Sequence, residues 1–140
     1  MIIGHMARAW LMLLCAALLL WRPLDYAFEL PQSLSTMGMR GVPGAIELLF
    51  HGIVAAVAVA AAQSLWSERP SGPSLAAVAL IGSAAATVQT VYWTALPHQT
   101  VPGSERLISA VAIGHAAIWL LYLGRSRRIR EIAGRSHGRA

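Results

Sequence analysis

The side chains able to do chemistry in this chain are few, and most lie among apolar neighbours. His51 follows Glu47 at a spacing of four residues, which stacks both on one face of a helix. Gln89, with Thr90, Tyr92 and Thr94 beside it, and His115 complete the set. Imidazoles on two helices at comparable depth, here His51 and His115, are a way for a bundle to grip the iron of haem b. Glu47, His51 and His115 also have the ligand types of a metal site. Zinc, however, wants three or four well-placed ligands with a supporting second shell, so no metal is assigned. A proton passed from Glu47 to His51 needs the same geometry without the metal. The plain alternative is that these groups hydrogen-bond across helices and fix which helix faces which, at about 0.6 to 2 kcal/mol each. At the level of sequence the glue, ligand or proton, and haem readings all stay open.

What positions these residues follows from composition. The 140 residues are 56% hydrophobic and only 12% charged, with positive mean hydropathy, against about 25% charged in a typical soluble domain. A water-soluble fold of this length cannot hide so much apolar surface, whereas a bilayer can. Stretches long enough to cross it run from Gly44 to Trp66, Ser74 to Leu96 and Arg106 to Gly124. A shorter one, Met6 to Trp21, opens the chain. Its Arg8 and apolar run resemble a signal peptide, but no small-x-small cleavage site follows Trp21, so a retained helix is expected, its span completed beyond Pro23. Cys15 is the one cysteine and can form no intramolecular disulfide; it reads as a small packed or lipid-facing residue.

All eleven basic residues are arginine, and six of them, Arg125, Arg127, Arg128, Arg130, Arg135 and Arg139, follow the last span. The positive-inside rule puts this tail, and with four spans the N-terminus and Arg8, in the cytoplasm. The loop carrying Glu68 and Arg69 is then also inside, and Arg22, Arg40 and Arg106 are outside. Trp10, Trp66, Trp119 and Tyr122 fall toward inner ends, while Trp21, Tyr92 and Trp93 fall toward outer ends, as interfacial anchoring requires. Counted inward from the outer end at 1.5 Å per residue, His51 lies at ~9 Å, Gln89 at ~11 Å and His115 at ~14 Å. They form one polar layer.

Packing expectations follow from small residues. Gly52, Ala56 and Ala60 on the second span and Gly82, Ala86 and Thr90 on the third repeat every fourth residue, which predicts a tight hairpin across those faces. The leucines of the first span (Leu11, Leu13, Leu14 and Leu18 to Leu20) are expected mostly to face lipid. The segment from Arg22 to Pro43 reads as an outer loop holding an interfacial helix or a cap. Val42-Pro43-Gly44 and Val101-Pro102-Gly103 each precede a span, as helix starts or as traces of a duplicated hairpin. The tail arginines Arg125, Arg127, Arg128 and Arg130 are expected to continue the last helix and meet lipid headgroups. His5, His98 and His137 fall outside the spans. No phosphate loop, dinucleotide fingerprint, HExxH, nucleophile elbow or cysteine cluster appears, nor the helix interruptions of carriers, so nothing asks for catalysis.

The run ERLISAVAIGHAAIWLLYLGRSRRIREI from Glu105 to Ile132 resembles the end of small uncharacterised bacterial tetraspan proteins, which finish with an apolar helix, Ile-Trp and Tyr, then a Ser-Arg-rich tail. Trp66 to Pro70 is similar to their second loop. The resemblance covers about a quarter of the chain and implies no activity.

The sequence therefore predicts an all-α, four-helix transmembrane bundle forming a single membrane domain over 1–140, with helices near 6–21, 44–66, 74–96 and 106–124 and both termini cytoplasmic. It reads as a multi-pass protein of a bacterial inner membrane, a non-enzymatic accessory or assembly subunit. Its partners are the lipid bilayer and a membrane protein or second copy, without nucleic acid. The alternative is a small-molecule or haem-b-binding protein using His51, His115, Glu47, Gln89 and Tyr92.

Overall fold

In the computed structural model the described residues are 2–92 and 103–134, with side-chain surroundings for all of these except 2–8, 128 and 132–134. Trp93, Thr94, His98, Val101, Pro102, Arg135, His137 and Arg139, and the side chains of His5, Arg8 and Arg128, lie outside this description. The fold is all-α among the described residues: α1 (Ile2–Ala16), a π-helical turn (Ala17–Trp21), α2 (Arg22–Ser35), α3 (Met37–Trp66), α4 (Gly72–Tyr92), α5 (Glu105–Arg125) and α6 (Arg127–Gly134). Among the described residues four helical stretches, Ala9–Ser35, Met37–Trp66, Gly72–Tyr92 and Glu105–Arg125, are long and apolar enough to cross a membrane. The chain is a multi-pass membrane protein.

Its burial pattern is the reverse of a water-soluble bundle. Alanines fill the interior, among them Ala58, Ala61, Ala76 and Ala79, while Ile46, Leu49 and Ile53 on α3 and Leu107, Val111, Ile118 and Leu121 on α5 face outward. With lipid supplying no hydrophobic drive between helices, small residues let backbones approach and large ones meet the acyl chains.

The first span corrects the reading of Arg22 to Pro43 as a loop. Helix continues through Pro23 to Ser35, so Trp21 lies within the span, exposed, instead of at its outer end. Proline lacks an amide hydrogen and its ring crowds the carbonyl one turn earlier. The wider π turn directly before it is the local adjustment by which membrane helices absorb this, and it is an interruption of the kind not anticipated. The helix ends at Thr36, whose backbone N–H and hydroxyl both donate to the carbonyl of Gln32, at 3.3 and 2.9 Å. α3 then kinks at Gly41, where φ of 61° and ψ of −151° suit glycine. Pro43 thus stands at the start of the long straight part of α3, as its fixed φ favours.

α3 and α4 form the tight hairpin, as expected. On α4 the face is the anticipated one, with Ala86 buried and Gly82 close to Val54. On α3 it is not. Ala56 and Ala60 are exposed, Gly52 lies against the Tyr26 ring, and the buried stripe is Glu47, Val54, Ala55, Ala58, Ala61, Ala62 and Leu65. That stripe rotates by one residue because it must meet α1 and α2 as well as α4.

The first span contributes Leu11, Leu14, Cys15 and Leu18 to the core and leaves Leu13, Leu19 and Leu20 outward, so only part of its leucine surface faces lipid. The core also takes Ala116, Trp119 and Leu123 from α5. Trp10 meets Trp119 edge-on with ring centroids 5.8 Å apart. The tail does not prolong α5: Ser126 adopts an extended ψ of 119°, and α6 turns so that Ile129 joins the core.

Candidate functional site: a charged layer at mid-membrane

α2 is polar on one face only. Arg22, Asp25, Tyr26 and Glu29 recur at the spacing of adjacent helical turns, and together with His51, Val54 and Ala86 they line one pocket. The opposite face, with Trp21, Leu24, Phe28 and Leu34, is exposed and apolar. A helix of this pattern turns its charges toward the bundle, as the cost of charge in lipid requires.

Arg22 sits at the midpoint of the span Ala9–Ser35. One guanidinium nitrogen, Nη1, donates to Oδ2 of Asp25 at 3.3 Å; the other, Nη2, donates to the Ser83 carbonyl and, at 2.6 Å, to the Thr87 hydroxyl. The Thr87 hydroxyl itself donates to that same carbonyl at 3.0 Å. The Ser83 carbonyl thus faces two side-chain donors, and with the Thr87 hydroxyl it makes this turn of α4 the acceptor for Arg22. Arg22 is thereby pulled inward, its side chain 17% exposed, while Asp25 stays 49% exposed.

His51, at the middle of α3, is paired by the same stripe. Its Nδ1–H donates to Oε2 of Glu29 over 3.1 Å, and the ring is 12% exposed. Gly52 beside it carries no Cβ; one built there would stand 3.0 Å from the Tyr26 hydroxyl, so the glycine is what lets the Tyr26 ring lie against α3. Glu47, one turn away on the buried stripe, is 6% exposed. Its Oε1, Nε2 of His51, and the hydroxyls of Ser83 and Ser109 are buried without a hydrogen-bond partner among the described residues.

The anticipated layer is therefore partly assembled and partly replaced. Glu47 and His51 share the buried stripe of α3. His115 does not join them: α4 carries the packing to both α3 and α5, and His115 is exposed with its ring edge-on to Trp119 at 6.2 Å. Tyr92 is exposed at the end of α4 and Gln89 is half-buried, and neither lines the pocket. Among the described residues no three His, Cys, Asp or Glu side chains are grouped to hold a metal ion.

What sequence reasoning missed is Arg22, Asp25, Tyr26, Glu29, Ser83 and Thr87. The signal was present in the i, i+3, i+4, i+7 spacing of the first four, but it was masked by reading Arg22 to Pro43 as an outer loop. The pocket they enclose holds about 10 Å³, at the lower limit for one water molecule. Chemically the arrangement can cross-link three helices, orient one imidazole, and keep one polar atom of His51 and one of Glu47 uncommitted. No protein-family model, curated protein or solved structure matches this chain.

Proposed function

We propose that the protein is a non-enzymatic accessory or assembly subunit of a bacterial inner membrane, with both termini cytoplasmic, that docks on another membrane protein or a second copy through the outward side of α2. One observation carries this reading. Asp25 lies within a helix that crosses the membrane, yet its side chain is half exposed beside the apolar stripe of Trp21, Leu24 and Phe28. A carboxylate at that depth is costly against lipid, and a partner helix with a donor removes the cost. The orientation draws on the arginines: with Arg22 inside the span, only Arg40 and Arg106 remain on the outer side, which widens the bias of the positive-inside rule. The resemblance of the last span and tail to small bacterial tetraspan proteins supports the setting.

The test is native mass spectrometry of the protein released from mild detergent. The wild type is expected to carry a second chain at fixed stoichiometry, and Asp25→Asn, which keeps an acceptor for Arg22 but lacks the charge, to lose most of it. A wild type that flies as a bare chain would falsify the reading.

A second reading rests on a different observation, the Glu29–His51 pair. A carboxylate holding Nδ1–H fixes the tautomer and presents Nε2 as the ligating nitrogen, the arrangement common behind metal-bound histidines. In that reading His51 binds a small molecule or haem b, with Glu47 nearby and without His115, and the helices must part to admit it, since the pocket beside His51 holds only about 10 Å³. Haemin titration followed by visible absorption separates the two: a Soret shift lost in His51→Ala supports the ligand site, and no shift in the wild type removes it.

A further inference from the structure

The end of the bundle at which α3 and α5 finish carries exposed guanidinium groups. Arg69, in the turn between α3 and α4, and Arg125, Arg127 and Arg130 are all exposed. None of the four forms an ion pair with a carboxylate among the described residues. Arg130 donates to the backbone carbonyl of Arg125 at 3.4 Å, so two like-charged residues are drawn together.

The position of these arginines is built and does not follow from sequence adjacency alone. Ser126 breaks α5, and Ile129, 2% exposed, packs into the core cluster with residues of α3, α4 and α5. Docking Ile129 turns the other face of α6 away from the core, and Arg127 and Arg130 lie about 60° apart on that face just beyond the end of α5. Leu121, exposed one turn before Arg125 on the same face of α5, continues the surface with an apolar wall. The surface thus offers cations at headgroup level above a hydrocarbon-facing side chain. A phosphodiester on an acyl chain has both complements, and guanidinium forks match phosphate oxygens in pairs.

We propose that α6 and the end of α5 form a binding site for an anionic phospholipid of the adjoining leaflet, its phosphate held by Arg125, Arg127 and Arg130. This stands whether or not the protein has the accessory role. Free phosphate and bulk electrostatic attraction are the competing sources, and the experiment separates them.

The protein in nanodiscs is equilibrated with phosphatidylglycerol and with phosphatidylcholine of identical acyl chains, and bound lipid is counted by native mass spectrometry. At about five-fold per arginine the wild type is expected to prefer phosphatidylglycerol by about a hundred-fold, and R127Q/R130Q to retain a preference of only about five-fold. Ile129→Ala keeps every charge but frees α6, and is expected to lose the preference as well. Equal retention of both lipids by the wild type, or an unchanged preference in R127Q/R130Q, overturns the proposal. So does an unchanged preference in Ile129→Ala, which would reduce the effect to net charge. Displacement of phosphatidylglycerol by millimolar inorganic phosphate would assign the site to a free anion. The melting temperature of R127Q/R130Q, whose altered side chains are exposed, is expected to equal that of the wild type, so that lost binding is not lost folding.

Discussion

The two halves of this bundle are held together by different means. Toward the chain termini the interior is alanine, leucine and Trp119, packed across α1, α3, α4 and α5. In the other half it is Arg22, Glu29, His51 and Thr87, joined across α2, α3 and α4 by directional bonds, with Glu47 buried beside them. Close packing of small residues tolerates almost any rotation that keeps backbones near one another. A guanidinium bound to one carbonyl and one hydroxyl does not. The dry half therefore supplies adhesion, and the charged half supplies the register in which α2 meets its neighbours.

The largest expected effect tests that division directly. Arg22→Ala deletes both part-buried bonds to α4 and leaves the half-exposed Asp25 without its cation; two hydrogen bonds from a charged donor, at about 1.5 kcal/mol each, put the loss at about 3 kcal/mol. Reversible unfolding in mixed micelles should show it. Arg22→Leu with Asp25→Leu removes both charges, and is expected to recover most of that stability while letting α2 adopt more than one orientation. Crosslinking between α2 and α4 would read that loss of uniqueness. If the double variant is as unstable as Arg22→Ala, the charged half provides adhesion and not register.

Leu14→Ala probes the other half. Leu14 is fully buried in the dry core, and its truncation opens a cavity worth about 2 kcal/mol, the low end of the range for such changes. A smaller step is expected for His51→Ala, about 1 kcal/mol, the usual worth of an interhelical hydrogen bond in a membrane. Smallest is His115→Ala, within about 0.5 kcal/mol, since the ring is exposed and touches only the edge of Trp119. Equal losses for the two histidines would contradict the separation that α4 imposes between them.

Much of the fold was legible because membrane spans are written in composition and length. Three spans, the α3–α4 hairpin and the interior position of Glu47 and His51 follow from apolar runs and helical periodicity. Arg22 was misplaced for a physical reason: an apolar run ends at its first charge, so Arg22 read as the start of the outer loop even though the span was expected to continue past Pro23. Polar residues that satisfy one another inside a bundle look, in sequence, like the beginning of a loop. His115 was joined to His51 on depth alone, and depth does not fix azimuth; which helix lies between two others is a tertiary fact. Likewise the arginines after Gly124 announced a charged tail, but the bend at Ser126 that docks Ile129 has no strong local signature.

The π-helical turn has a consequence for how this chain tolerates change. Such a turn accommodates one residue more than an α-helix would, without altering what precedes or follows. Deleting a single residue between Ala17 and Trp21 would close the turn to ordinary α-helix and leave Arg22, Asp25 and Glu29 aimed as they are, whereas the same deletion in α1 would swing everything beyond it by about 100°. The turn is thus a place where the chain can lose one residue and still present the same stripe of α2 to His51, a tolerance that no other turn of this span has.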